Sequence, residues 1–265
     1  MKIMCGIFGF VLKKPVHTPV VFQVLQKLEV SQYPGETKPV GGYGAGVAVM
    51  LNDGSIMLEK VGQVTGSPAA NLAKIVEPKL STISSLIAHV RYPSQEFAAA
   101  LPSKETAQPF VSQFEPELTI ASAHNGKVEN YMELKARMKD HVFESEEYGF
   151  VDSEIIPHYF SELINETENS DDALYRLLCT LTGSNAISMF HTDKENAFLH
   201  LLHKGKTRGL TVWANETGEV IFCSRPEPVI EEFEKLLVRD KFKEKISIKW
   251  WEDAGVKLSF PISFE

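Results

Sequence analysis

Met4-Cys5-Gly6-Ile7-Phe8-Gly9-Phe10 decides how this chain is read: a lone cysteine stands at the edge of an apolar run that continues to Leu12. Ile7 and Val11 alternate on one face, with Phe8, Phe10 and Leu12 on the other. Apolar residues on both faces imply a strand covered on both sides. If the residues before Cys5 are removed, its thiol gains a free α-amino group on the same residue. An α-amine titrates at about 7.7 to 8.0 and a free thiol near ~8.5, so the amine can take up the proton that the thiol releases. An internal peptide nitrogen cannot. Taken alone, a single cysteine reads first as a small buried apolar residue. The rest of the chain decides between the two.

The 265 residues are 43% hydrophobic and 23% charged, an ordinary globular composition. A net charge of −8 with no long Lys/Arg run argues against a nucleic-acid partner. The three cysteines, Cys5, Cys179 and Cys223, are too few and too scattered for a disulfide framework or a Cys-x-x-Cys metal site, which points to a reducing compartment. No stretch approaches the roughly 18 to 20 apolar residues of a membrane span. Met1 to Met4 is too short for a signal peptide, so it reads as a leader or a mis-assigned start. A cytoplasmic protein with no membrane partner is expected.

Along the chain, Val21, Val24, Leu25 and Leu28 recur at helical spacing over roughly 20–33, and Pro34-Gly35 ends that helix. Gly41-Gly42-Tyr43-Gly44-Ala45-Gly46 precedes a strand and lacks the Lys-Ser/Thr of a phosphate loop, so it reads as close backbone packing. Asn52-Asp53-Gly54 is a hairpin turn before a strand over 55–61. A helix near 69–80 and a strand over 85–90 follow. Pro93 stops the pairing, and a long loop leads to Gln108-Pro109-Phe110. A strand over 118–123 precedes helices near 130–139, 153–166 and 171–181. Strands over 186–190, 197–203, 210–214 and 220–224 follow, then a helix near 227–237 and a strand through Ile246, Ile248 and Trp250. Strands and helices come in batches, which favours a layered α+β arrangement over βαβ alternation. With no linker or repeat, residues 5–265 read as one domain.

Three further places carry candidate chemistry, each with a plain structural alternative. Asn125-Gly126 is also a strong two-residue hairpin signal. Asp152 precedes a helix, where capping explains it equally well. Arg91 at a strand end can be a solvated charge. His200 and His203 lie three apart on a strand and point to opposite faces, so they are not read as metal ligands.

Taken together these places resemble the class II glutamine amidotransferases, whose glutaminase domain is an N-terminal nucleophile hydrolase. The matching pieces are Met4-Cys5-Gly6-Ile7-Phe8-Gly9, His89-Val90-Arg91-Tyr92, Gln108-Pro109-Phe110, His124-Asn125-Gly126-Lys127-Val128-Glu129-Asn130 and Asp152-Ser153-Glu154, in family order. The resemblance covers roughly residues 4–225. It implies a four-layer α/β/β/α sandwich, two antiparallel sheets between helical layers. It also implies that Cys5 attacks the glutamine side-chain amide to form a thioester while its α-amine relays the proton to ammonia. Asn125 and the Gly126 N–H then form the oxyanion hole, Arg91 grips the substrate carboxylate with paired hydrogen bonds, Asp152 holds the α-ammonium, and Ser94 and Gly126 line the substrate. No cofactor or metal is called for.

The chain departs from the pattern in four places. Ser94 stands where the family usually has Thr, and Val40 where many members carry an arginine before the glycine turn. The turn itself looks more like that of glutamate synthase domains than that of glucosamine-phosphate synthases. Pro157 is unexpected inside the helix after Asp152 and bears on where that helix starts. The expected activity is release of ammonia from L-glutamine for a partner synthase or synthetase subunit, with Trp250-Trp251, pointing to opposite faces of a strand, as a docking surface. The alternatives are a hydrolase of another γ-glutamyl amide and, with residues 1–4 retained, a non-catalytic glutamine-binding regulatory subunit. We expect active protein from its natural source to begin at Cys5; an intact mass that retains Met1 contradicts the amine-base mechanism.

Overall fold

The apolar run after Cys5 forms strand β1, Gly6–His17, in a computed structural model that describes residues 5–32, 38–92, 102–114, 117–167 and 169–263. The expectations for Met1 to Met4, Pro34-Gly35, Pro93 and Ser94 lie outside the described residues. β1 is central in a seven-stranded sheet. Its neighbours are β10 (Val220–Cys223) and β4 (Thr82–Val90). Beyond β10 lie β9 (Leu210–Ala214) and β11 (Lys243–Ile248), and beyond β4 lie β2 (Ala45–Met50) and β3 (Ile56–Val61). A five-stranded sheet runs in the order β12 (Asp253–Pro261), β8 (Ala197–Lys206), β7 (Asn185–Thr192), β6 (Thr119–Gly126), β5 (Phe110–Ser112).

Three apolar interfaces separate four layers. Phe8, Phe10 and Leu12 of β1 pack outward under helices α1 (Thr18–Val30), α2 (Pro68–Val76) and α6 (Pro226–Arg239), against Leu25, Leu28, Leu72 and Phe233. Ile7 and Val11, on the other face, meet Ala121, Phe190 and Leu199 of the second sheet. The far face of that sheet presents Ile187, Met189 and Leu202 to α4 (Ile155–Glu166) and α5 (Ser170–Thr180), with α3 (Tyr131–Arg137) beside them. The two-sided burial expected of the Cys5 strand therefore takes the form of a strand between a helical layer and a second sheet, which is the α/β/β/α sandwich. Asn52-Asp53-Gly54 turns β2 into β3, with Leu51 N–H donating to Ser55 O at 2.8 Å and Gly54 at φ +80°.

Several elements differ from the sequence reading. β1 runs on through Lys13-Lys14-Pro15, where its pairing with β4 slips between Val11 and Val16; that interruption hid the continuation. β5 begins at Phe110, where the expected loop ends, and its three residues are too few to show a period in the sequence. β12 was missed, although Ala254, Val256, Leu258 and Phe260 alternate with Gly255, Lys257 and Ser259 and pack against the inter-sheet core. Trp250-Trp251 is not on a strand. It lies in the turn between β11 and β12, with Trp251 at φ +65° and its N–H donating to Thr207 O at 2.8 Å. The two rings contact each other at 6.0 Å and are both half-buried. They do not point to opposite sheet faces, and the docking argument built on that geometry falls.

The closeness of the layers at β1 is set by glycine. A Cβ on Gly9 would lie 2.2 Å from Leu86 O and 2.4 Å from the Phe222 ring. A sheet carbonyl cannot swing away as a side-chain tip can. We expect Gly9→Ala to destabilise the fold by at least about 2 kcal/mol in urea denaturation, the scale of core overpacking; unchanged stability contradicts the packing described.

Candidate active site

Antiparallel pairing sets Gly6 opposite Val90, so Cys5, just before β1, emerges beside Arg91, just after β4. The Cys5 thiol donates to Tyr92 O at 3.2 Å and accepts from Tyr92 N–H at 3.3 Å. Burial pushes the thiol pKa up; the Tyr92 backbone and the Arg91 and Arg208 guanidiniums oppose this, while Asp152 adds to it. The net direction is upward, so at neutral pH the thiol keeps its proton. Among the described residues no carboxylate or imidazole hydrogen-bonds Sγ.

Arg91 is 4% exposed, and its Nη1 donates to Thr106 Oγ1 at 2.5 Å. Its backbone is fastened to the glycine turn on both sides, with Tyr43 N–H on Arg91 O at 3.1 Å and Arg91 N–H on Gly44 O at 2.8 Å. Gly44, at φ +140°, sits against Arg91 and Val61 O, and a Cβ on Gly46 would come within 2.3 Å of Gln108 O. Burial weakens the Arg91 guanidinium's hold on its proton, and the charges of Cys5 and Asp152 strengthen it.

Asp152 begins a short 3-10 turn, Asp152–Glu154, and its Oδ2 accepts from Val128 N–H at 2.8 Å. The carboxylate reaches back to the segment after Gly126, and neither that turn nor α4 shows a side-chain cap. The 3-10 turn also accounts for Pro157. The α-helix proper starts at Ile155, so Pro157 is in its first turn, where an N–H has no helical acceptor to lose.

Asn125 and Gly126 end β6, with Gly126 opposite Asn185 of β7, so they are not a two-residue hairpin. Asn125 is fully buried, yet neither Nδ2 nor Oδ1 has a hydrogen-bond partner among the described residues. Buried amides are rarely left so, because desolvation without a partner costs about 1–3 kcal/mol. Gly126 has φ +139°, and a Cβ there would fall 2.1 Å from Ser184 O.

The segment is held from behind by His124. Its N–H donates to Gln108 Oε1 at 2.6 Å, and its carbonyl accepts from Gln108 Nε2 at 3.1 Å. Its ring contacts Ser153 Oγ at 2.8 Å and Asn185 Oδ1 at 2.9 Å. Burial pushes the His124 pKa down to about 4, so the ring is neutral at pH 7. With Asn185 Oδ1 accepting, Nε2 carries the proton and Nδ1 accepts from Ser153. His89, beside Arg91 and His124, is pushed down to about 3, chiefly by burial.

The structure thus brings Cys5, Arg91 and Asp152 within electrostatic range of one another, and sets Asn125-Gly126 at the same edge through His124 and Val128. Ser94 is outside the described residues. The supporting roles of Gln108, His124 and Ser153 were not read from sequence, although each lies inside a quoted motif. Arg208, which no motif in the chain marks, is buried in the connection between β8 and β9. His200 and His203 have separate partners: His200 meets His191 and Ser259, His203 the carbonyls of Ala254 and Arg208. Among the described residues no helix is long and apolar enough to cross a membrane.

Residues 96–231 match the glutamine amidotransferase domain family, a stretch that holds Asn125, Gly126 and Asp152 but not Cys5 or Arg91. The glutamine–fructose-6-phosphate aminotransferase (isomerizing) of Acinetobacter baylyi is 31% identical over 193 residues, covering 72% of this chain and 27% of the relative. That of Methanothermobacter thermautotrophicus is 29% identical, covering 96% of this chain and 42% of the relative. The chain therefore spans less than half the length of these relatives. Among solved structures, the glutamine phosphoribosylpyrophosphate amidotransferase of B. subtilis superposes with a TM-score of 0.64 at 18% identity, over 98% of this chain and 50% of that one.

With residues 1–4 attached, we expect iodoacetamide at pH 7 to label Cys5 more slowly than the exposed Cys179, and the Cys5 rate to climb only above the ordinary thiol range, because burial raises its pKa. Peptide mapping reads both sites, and faster labelling of Cys5 at pH 7 contradicts the environment described.

Proposed function

The chain belongs to the class II glutamine amidotransferases, and from that premise we propose that residues 5–265 act as one glutaminase domain in which Cys5, once its α-amine is free, hydrolyses L-glutamine and supplies ammonia to an acceptor on a synthase or synthetase. Sγ forms a bond to the side-chain amide carbon, and the carbonyl oxygen becomes an oxyanion that Asn125 Nδ2 and Gly126 N–H receive. The C–N bond then breaks, and the α-amine passes the thiol's proton to the departing nitrogen. Water cleaves the thioester, releasing glutamate and restoring the thiol. Arg91 takes the substrate α-carboxylate and Asp152 its α-ammonium, so the anchors select an α-amino acid and their distance from Cys5 selects its length. Ser94 contributes a hydroxyl to the substrate side.

The observation that carries this reading is Asn125: a fully buried amide with no described partner, at the edge where a thiol, a guanidinium and a carboxylate act on one another. An amide so placed is suited to a donor whose acceptor arrives only with the reaction. Delivery to a nearby acceptor follows from the chemistry of the product, since ammonia released into neutral water is mostly protonated and no longer nucleophilic. The relatives named above carry glutamine and an acceptor sugar phosphate in their names, which supports coupling of this kind without naming the acceptor here.

We expect Asn125→Ala to lower kcat by about a hundred- to a thousandfold with little change in KM, as for loss of one oxyanion donor; a near-normal kcat removes Asn125 from the mechanism. Arg91→Lys should raise KM for glutamine by about tenfold or more, because one ammonium replaces a two-point grip, while Cys5 stays reactive to a small alkylating agent. Loss of that labelling in a folded variant assigns Arg91 to the thiol instead. Full activity on other γ-glutamyl amides, unaffected by co-purified proteins, points to a stand-alone hydrolase.

A further inference from the structure

Two side chains of Asp152-Ser153-Glu154 have a place in the candidate site: Asp152 takes the Val128 N–H, and Ser153 meets the His124 ring and Gln108 Nε2. Glu154, 1% exposed, holds a different part of the chain. Its Oε1 accepts from Glu144 N–H at 2.5 Å, and its Oε2 accepts from Ser145 N–H at 3.0 Å and from the Ser145 hydroxyl. Ser145 Oγ also accepts from Val151 N–H at 2.8 Å, which ties this segment back to the residue before the turn.

The run of contacts continues through Glu144, whose carboxylate pairs with Lys60 Nζ at 2.5 Å. Lys60 is on β3, the edge strand of the other sheet, and only 4% of its side chain is exposed. Its stem packs against β2, where a Cβ on Gly46 would lie 3.0 Å from Lys60 Cγ, and Nζ stands 5.0 Å from the centre of the Phe110 ring. Lysine is almost never buried this far unless it is paired. An exposed ion pair would fix little, but here the ammonium is enclosed and the backbone of Glu144 is itself bound to Glu154. Lys60, Glu144 and Glu154 therefore link the seven-stranded sheet to the turn that carries Asp152, and the proposed chemistry uses none of the three.

We propose that Lys60 is a positioning residue for substrate selection: through Glu144 and the Glu154 carboxylate it fixes the turn that holds Asp152, and so sets how strictly the site demands an α-ammonium group. This rests on the reading that Asp152 receives that ammonium. Asp152 then shares its carboxylate between Val128 N–H and the substrate, so its aim depends on where the turn sits. Ser153 has its own supports in Gln108 and His124, so the Asn125 side of the site is held separately.

The test compares L-glutamine with glutaramate, the same molecule without its α-amino group. Ammonia release gives kcat/KM for both in the active protein and in its Lys60→Met, Glu144→Gln and double variants, with folding checked by thermal melting. Met keeps most of the lysine stem, and the double variant leaves no buried charge unpaired. Lys60→Met should lower kcat/KM for glutamine about tenfold, mostly through KM, because a small misplacement of a binding group is strongly felt, while the value for glutaramate stays within about twofold. The double variant should lose no more than the more affected single, since both residues act through one set of contacts. Equal losses on the two substrates in a folded variant overturn the proposal, as do an unchanged preference for glutamine or losses that multiply in the double variant. If neither single variant folds, the double decides alone, and failure of all three to fold makes the contacts purely structural and also overturns it. Asp152→Asn separates this from the proposed function: a preference for glutamine that survives there removes Asp152 from ammonium binding, and the inference with it. A preference lost there but kept in folded Lys60→Met removes only the inference about Lys60.

Discussion

Antiparallel pairing of β1 with β4, Gly6 against Val90, fixes where chemistry can occur on this scaffold, because it sets the residue before one strand beside the residues after the other. The thiol of Cys5 then needs no side chain to hold it: the Tyr92 backbone donates to it on one side and accepts from it on the other. The same pairing carries Arg91 to within electrostatic range of the sulfur. β1 can serve in this way only because it is buried on both faces, by helices on one side and by the second sheet on the other. A strand so enclosed has little freedom to slide, since a slip of one residue would exchange the two sets of apolar side chains.

The second sheet supplies the other half of the site through a chain of polar contacts. Gln108 clasps the backbone of His124 on both sides, Ser153 and Asn185 bracket its ring, and Asp152 takes the Val128 N–H. Around these contacts several buried polar groups have no hydrogen-bond partner among the described residues: the Asn125 amide, both ring nitrogens of His89 and Nδ2 of Asn185. Burial also keeps His89 and His124 uncharged at pH 7. The positive charge at this edge therefore comes from arginines, which do not titrate in the working range of an enzyme.

Much of this was legible in the chain because the signals are local. Two-sided apolar alternation marked β1, Asn52-Asp53-Gly54 marked the first hairpin, and five short motifs in fixed order pointed to the residues that the fold gathers. What escaped was either short, interrupted or nonlocal. β5 is too short to show a period, and β1 past Leu12 crosses two lysines and a proline. β12 alternates regularly from Ala254 to Phe260, but it follows a turn that the apolar pattern through Ile248 and Trp250 hides. Apolar alternation through Ile246 and Ile248 does not reveal that the chain turns at Trp251, whose positive φ no β-branched or aromatic pattern announces. Asn125-Gly126 has the letters of a turn, but its partner is Asn185, roughly sixty residues on, and only pairing between strands settles that.

The account stands on Cys5 acting as a nucleophile with its own α-amine free. The most direct measurement is to treat the active protein with a diazoketone analogue of glutamine and map the covalent adduct by tandem mass spectrometry. The account predicts a single adduct on Cys5 Sγ, in a peptide whose first residue is Cys5 with an unmodified amine, and protection of that site by glutamine. An adduct on another residue, or on a Cys5 still joined to Met4, would contradict it.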